Sequence, residues 1–172
     1  MLAAGNEAGD ELVDIVDEAD NVVAVVTRRE MRADLLRHRA VYIAVQGSDG
    51  RLLVHQRSFD KDVRPGAWDI AFGGVVGSGE GYDRSAQREL AEEIGILDAV
   101  LTPIGGGSFA DEHYTLIGRC YHVVHDGPFH FADGEVIGTR WVNASELADL
   151  IATGNVLADS VALLIGRLDV AA

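Results

Sequence analysis

Between residues 74 and 96 the chain carries Gly74, Glu80, Arg88, Glu89, Glu92, Glu93 and Gly95, with bulky aliphatics at Leu90 and Ile96. Carboxylates at this density, without paired histidine or cysteine, are hard oxygen ligands suited to Mg2+, with Mn2+ as a substitute. No proline or internal glycine interrupts residues 82 to 94, and Gly95 follows the last periodic apolar residue. The spacing therefore predicts a helix over 82–94 closed by a left-handed glycine cap. On that helix Glu89, Glu92 and Glu93 share an arc of roughly 100°, while Ala86, Leu90 and Ile94 form a separate apolar stripe. Carboxylates crowded in this way repel one another, so at least one pKa rises or the helix loses stability unless a cation intervenes. A bound divalent ion resolves the conflict, offsets charge developing on a reacting phosphate group and activates a water.

Glu80 lies in the loop before this helix, and the glycines at 74, 77, 79 and 81 let the loop fold back over the carboxylate face. Arg88 precedes Glu92 by four residues and can orient a carboxylate through a charge-assisted hydrogen bond. The whole run reads G-x5-E-x7-R-E-U-x-E-E-x-G-U, with U a bulky aliphatic. On these residues the chain resembles the Nudix hydrolases, which cleave diphosphate linkages with a divalent metal. The resemblance implies that Glu89 and Glu93 are metal ligands, that Glu92 is a further ligand or the base, and that Glu80 and Arg88 complete the site. It also implies a small-molecule diphosphate substrate, for which a nucleoside diphosphate derivative is the expectation, and a homodimer as the assembly.

A closer likeness, carried by Leu36 to Tyr42, Leu52 to Ser58 and Lys61, is to bacterial Nudix proteins grouped with isopentenyl diphosphate isomerases. Those enzymes place a catalytic cysteine and a metal-binding histidine just before the box. Here the corresponding positions are Phe72 and Gly74, neither of which can transfer a proton or bind metal through its side chain. His38 matches one retained isomerase ligand position. The reading is thus water attack at phosphorus, with isomerase chemistry and a non-catalytic nucleotide-binding module as the alternatives. Arg57, Lys61 and Arg64 in the loop before Trp68 are cations suited to substrate phosphate, and Gly74 lets substrate approach the backbone. Glu112 and Glu135, both after the helix, are the candidates for an additional catalytic carboxylate, with Glu112 preferred.

A length of 172 residues is that of one domain with a proper core, and 48% hydrophobic with 24% charged residues is ordinary for a globular chain. A net charge of −14 argues against a nucleic-acid polymer as partner, since phosphate backbones reward dense lysine and arginine. No run of 18 apolar residues suggests a membrane span, and no signal-like segment opens the chain, so a cytoplasmic location is expected. Cys120, the single cysteine, reads as a buried inert thiol in a strand.

The elements that must position the helix read in order along the chain. Residues 1 to 10 are expected to be a flexible tail, and 11 to 36 an extension made of a hairpin (Leu12 to Val16, Val22 to Thr27) and a helix (Arg28 to Arg37). The Nudix-like region runs from 37 to 168. Strands are expected at Ala40 to Gln46, Leu52 to Gln56, Trp68 to Phe72, Leu97 to Gly107, Tyr114 to Val124 and Glu135 to Val142. A bend or bulge is expected at Gly105 to Ser108. Asn143 and Glu146 form a capping box opening a helix, and a final helix covers Val156 to Leu168. This order fits an α/β fold, a mixed sheet sandwiched between helices.

Overall fold

The computed structural model describes residues 7–131 and 134–172. Of the tail expected over residues 1 to 10, positions 1–6 lie outside the described residues, and Glu7–Asp10 form one helical turn, α1. The hairpin is present as β1 (Leu12–Val16) and β2 (Val22–Thr27). Strand β2 lies at the sheet edge and leaves Val22, Val23 and Val25 exposed.

Helix α2 (Arg28–Ala33) opens on a Thr27/Glu30 capping box and ends earlier than its sequence periodicity suggests. Leu35 takes a left-handed conformation, φ 49°, which turns the chain so that His38 already pairs with Ile15 of β1. Sheet pairing outweighs the helical spacing of Leu35 and Leu36.

The centre of the sheet is β3 (His38–Gln46). It runs parallel to β8 (Thr115–Val124) and antiparallel to β6 (Phe72–Val75), and both pairings bear on the site. Strand β7 (Thr102–Ala110) flanks β8, with a register shift between Pro103 and Gly105, just ahead of the bend or bulge expected at Gly105 to Ser108. Strand β4 (Leu52–Arg57) pairs with β9 (Val136–Val142) and the short β5 (Trp68–Asp69).

The strand expected over Trp68 to Phe72 is broken into β5 and β6. Asp69 accepts the Ala71 N–H at 3.0 Å and the Ser160 hydroxyl, and these bonds bend the chain between the two pieces.

Successive side chains of a strand face opposite ways, so β3 divides the core in two. Ala40, Tyr42 and Ala44 face α4 (Ala144–Ala152) and α5 (Ala158–Leu164), which bring Leu147, Leu150, Leu163 and Leu164. Val41, Ile43 and Val45 face α3 (Tyr82–Ile94), which brings Ala86, Leu90 and Ile94. This is the expected α/β/α sandwich. Helix α4 carries the Asn143/Glu146 capping box, and α5 ends at Leu164 in a 3-10 turn over Ile165–Arg167. Cys120 is buried, and burial pushes its thiol up to about 11. Among the described residues no helix is long and apolar enough to cross a membrane.

Candidate active site

Helix α3 spans Tyr82–Ile94 and closes on Gly95 at φ 72°, as the spacing requires. Its apolar stripe is buried against β3, which fixes the rotation of the helix and so aims Glu89 and Glu93 into a cleft of about 890 Å³. The first half of the box forms β6 and the loop after it. Asp14 of β1 anchors that loop by accepting from the Ser78 hydroxyl at 2.6 Å and the Gly79 N–H at 3.2 Å. The N-terminal hairpin therefore shapes the box from outside it.

Arg88 is the hub of the carboxylate face. Its Nε and Nη2 hold both oxygens of Glu80 at 3.1 and 3.0 Å, and its Nη1 donates to Glu89 at 2.9 Å and Glu92 at 3.1 Å. The guanidinium depresses the Glu80 pKa, as a paired cation should. Glu93 takes no part in this network. It accepts the Gly73 backbone N–H at 2.9 Å, while burial and then the charge of Glu89 push its pKa up to about 8, with Asp69 and Glu135 adding to the effect. Burial also raises Glu89, against the pull of Arg88.

The glycines of β6 have steric reasons. Gly73 has φ 142°, and a Cβ there would fall onto the Val41 carbonyl oxygen across the β3–β6 pair. At Gly74 a Cβ would come within 2.8 Å of the Glu89 carboxylate. Gly73 thus permits the β3–β6 pairing, and Gly74 leaves room for the Glu89 carboxylate.

Among the described residues no three of His, Cys, Asp or Glu stand as a ready-made metal cage. The donor set nevertheless fits a hard divalent cation. Glu89 and Glu93 present oxygens on one helix face, both held above their ordinary pKa by burial and neighbouring negative charge, the conflict such an ion removes.

Cations line the same cleft. Arg57 ends β4 and bonds the Val63 carbonyl at 3.1 Å, and Lys61 pairs with Glu135 at 2.8 Å. Arg28 and Arg32 of α2 also line this cleft. The floor carries Asp159, which accepts the Tyr42 hydroxyl at 2.7 Å and is pushed up to about 6 by burial and the neighbouring Asp69. His38 is buried at the same cleft, its Nδ1 3.0 Å from the Leu36 carbonyl.

The structure thus brings Gly74, Glu89, Glu92, Glu93, Arg88, Arg57 and Lys61 to one cleft, with Glu80 behind Arg88. It does not bring Glu112. That side chain is 85% exposed beside His113 in the β7–β8 turn and lines no part of the cleft, whereas Glu135 does. Arg64 is taken up by the Gly154 carbonyl at 2.7 Å. Phe72 is buried and stacked on His55 at 4.4 Å, so the position matched to the isomerase cysteine is filled by core packing. Sequence reasoning missed Arg28, Arg32, Tyr42 and Asp159. The four-residue spacing of Arg28 and Arg32 on either side of the core residue Met31 was the one signal available.

The NUDIX domain family model matches residues 36–162. A Yersinia pestis protein described as an uncharacterized Nudix hydrolase is 42% identical over 137 residues, covering 80% of this chain and 75% of the relative. Escherichia coli K12 YfcD, described in the same words, is 39% identical over 140 residues, covering 81% and 78%. Among solved structures, DR0079 of Deinococcus radiodurans superposes with a TM-score of 0.73 at 28% identity, covering 84% of this chain and 91% of that one. A MutT protein from Methanosarcina mazei shares the fold at a TM-score of 0.61 and 23% identity, covering 72% and 86%.

Proposed function

The chain belongs to the Nudix family and is a hydrolase of phosphoanhydrides, and from that premise we propose that it cleaves a small nucleoside diphosphate derivative in a Mg2+-dependent reaction. The observation that carries the reading is the position of Glu93, among Glu89, Asp69 and Glu135 and fixed by the Gly73 N–H. A carboxylate raised to about 8 by burial and then by the charge of Glu89 is poised to ionise when a cation arrives. Glu89 and Glu93 would hold Mg2+, or Mn2+ in its place, with Glu92 and Glu80 as further oxygen donors. When bound, the ion supplies compensation for charge on the diphosphate and acidifies water.

The remaining work falls to the chain itself. Arg88 fixes the rotamers of Glu80, Glu89 and Glu92, so that the carboxylate face is organised before substrate enters. Glu92 takes the proton of the attacking water. Glu135, across the cleft and close enough to raise Glu93, is the second acceptor to be tested. Arg57 and Lys61 steady the phosphate oxygens. Proton transfer at carbon has no support, because Phe72 and Gly74 offer neither donor nor ligand.

The test is a mass-spectrometric screen of purified protein with Mg2+ against a broad panel of diphosphate compounds, with Glu93→Gln beside it. Release of a phosphate or nucleotide by the wild type and its loss in the variant are expected. If ligands bind and remain intact, the protein is a binding module and the catalytic reading is wrong.

A further inference from the structure

Helix α2 lies before residue 36, where the Nudix domain match begins, yet two of its side chains enter the cleft. Arg28 and Arg32 stand four residues apart, which places them one above the other on the same helix face. Like charges so placed repel, and Arg57 lies near enough to add to the strain on Arg32, whose pKa is lowered first by burial and then by Arg28. A chain with net charge −14 has collected three arginines around one space.

Their present partners do not use them up. Arg32 reaches Asp62 at 3.3 Å, but that carboxylate is 85% exposed, and a pair so open to solvent contributes little. Arg28 reaches Glu11 at 3.2 Å, and Glu11 lines the cleft together with Asp60 and Asp62. The Nε atoms of Arg32 and Arg57 are both buried and have no hydrogen-bond partner. A buried donor left without an acceptor is costly, and guanidinium groups match phosphate oxygens in geometry and charge. The position is also telling. Arg28 lies close enough to Glu89 to lower its pKa, and Arg32 and Arg57 both act on Tyr114, so the cluster extends from the carboxylate face along the cleft.

We infer that Arg28 and Arg32, with Arg57 facing them, form an anion subsite that holds a phosphoryl group of the substrate beyond the diphosphate that is cleaved. The inference rests on the phosphoanhydride reading of the site and narrows it. The substrate carries an additional phosphoryl group, either continuous with the diphosphate or as a separate phosphomonoester, and the N-terminal extension reads it.

Calorimetric titration of the metal-free full chain with tripolyphosphate, pyrophosphate and orthophosphate tests this without turnover, so a failure of the hydrolase reading leaves the result interpretable. Tripolyphosphate is expected to bind at least about tenfold more tightly than pyrophosphate, and R28Q and R32Q each to lose about tenfold on tripolyphosphate but under about threefold on pyrophosphate. Binding of orthophosphate alongside pyrophosphate identifies a separate phosphomonoester; tripolyphosphate binding alone identifies a continuous chain. E11Q and D62N break the same ion pairs while keeping both arginines, and should bind tripolyphosphate at least as well as the wild type. Absent binding, no discrimination in the wild type without orthophosphate binding alongside pyrophosphate, or equal weakening in E11Q and D62N overturns the subsite, the last by showing that the arginines only anchor α2.

Discussion

The Gly73 backbone N–H donates to the Glu93 carboxylate over 2.9 Å, tying β6 to the last carboxylate of α3. The bond depends on φ 142° at position 73 and on the absence of a Cβ beneath the Val41 carbonyl. Gly73→Ala is therefore expected to cost stability, about 1–3 kcal/mol from backbone strain alone, together with activity. Gly74→Ala meets only the end of the Glu89 side chain, which can swing aside. It should retain most of the melting temperature and lose activity. Equal thermal losses in the two variants would contradict this account.

Stability without metal should fall as pH rises through neutrality. Glu93 has a folded pKa of about 8 against an ordinary value of 4.5, so the folded state holds a proton that the unfolded chain has lost. The contribution is fully present below about pH 4.5 and disappears as pH climbs toward 8. Asp159, raised to about 6 from 3.8, acts in the same direction at lower pH. Differential scanning calorimetry of metal-free protein should show Tm decreasing from pH 5 to pH 8, by about 3 °C or more. Glu93→Gln should flatten that slope, and Mg2+ should raise Tm more at pH 8 than at pH 6.

Arg88 should matter through the residues it holds. Arg88→Gln releases Glu80, Glu89 and Glu92 together, and a roughly 10–100-fold fall in kcat or metal affinity is expected, as for loss of a group that orients metal ligands. Arg88→Lys keeps the charge without the two-pronged grip on Glu80 and should recover only part. Titrating Mg2+ in a steady-state assay of each variant separates metal affinity from kcat.

The two carboxylates that followed the helix in sequence should now separate in assay. Glu112→Gln is expected to be silent, within about twofold in kcat/KM, because the side chain stands in solvent away from the cleft. Glu135→Gln releases Lys61 and removes a charge facing Glu93, and should change both activity and its pH profile. A silent Glu135→Gln beside an inactive Glu92→Gln would leave Glu92 as the proton acceptor.

Short-range physics made much of this legible. The helix over 82–94, its glycine cap and the Asn143/Glu146 box were visible because each is decided by residues within a few positions of one another. The choice between Glu112 and Glu135 was not, because it is made by pairing. Ser58 donates to the Glu135 carbonyl at 2.8 Å and Arg57 sits in register with Val136, which carries Glu135 to Lys61. Glu112 is left at the tip of the β7–β8 hairpin. Arg28 and Arg32 were passed over for a similar reason. Charges on a short helix are solvated by default, and only the reversal at Leu35 turns α2 toward the cleft.

The two walls of the cleft also differ in how far the chain must travel to make them. Gly73 and Glu93 are 20 residues apart, so pairing of β3 with β6 and docking of α3 can form the carboxylate face from a contiguous stretch. The floor closes only when Tyr42 meets Asp159, 117 residues later, and loop closure over such distances is slow. During synthesis the residues of the carboxylate face therefore precede Asp159, which completes the floor. A chain at that stage carries the acidic residues of the site without the residues that enclose them.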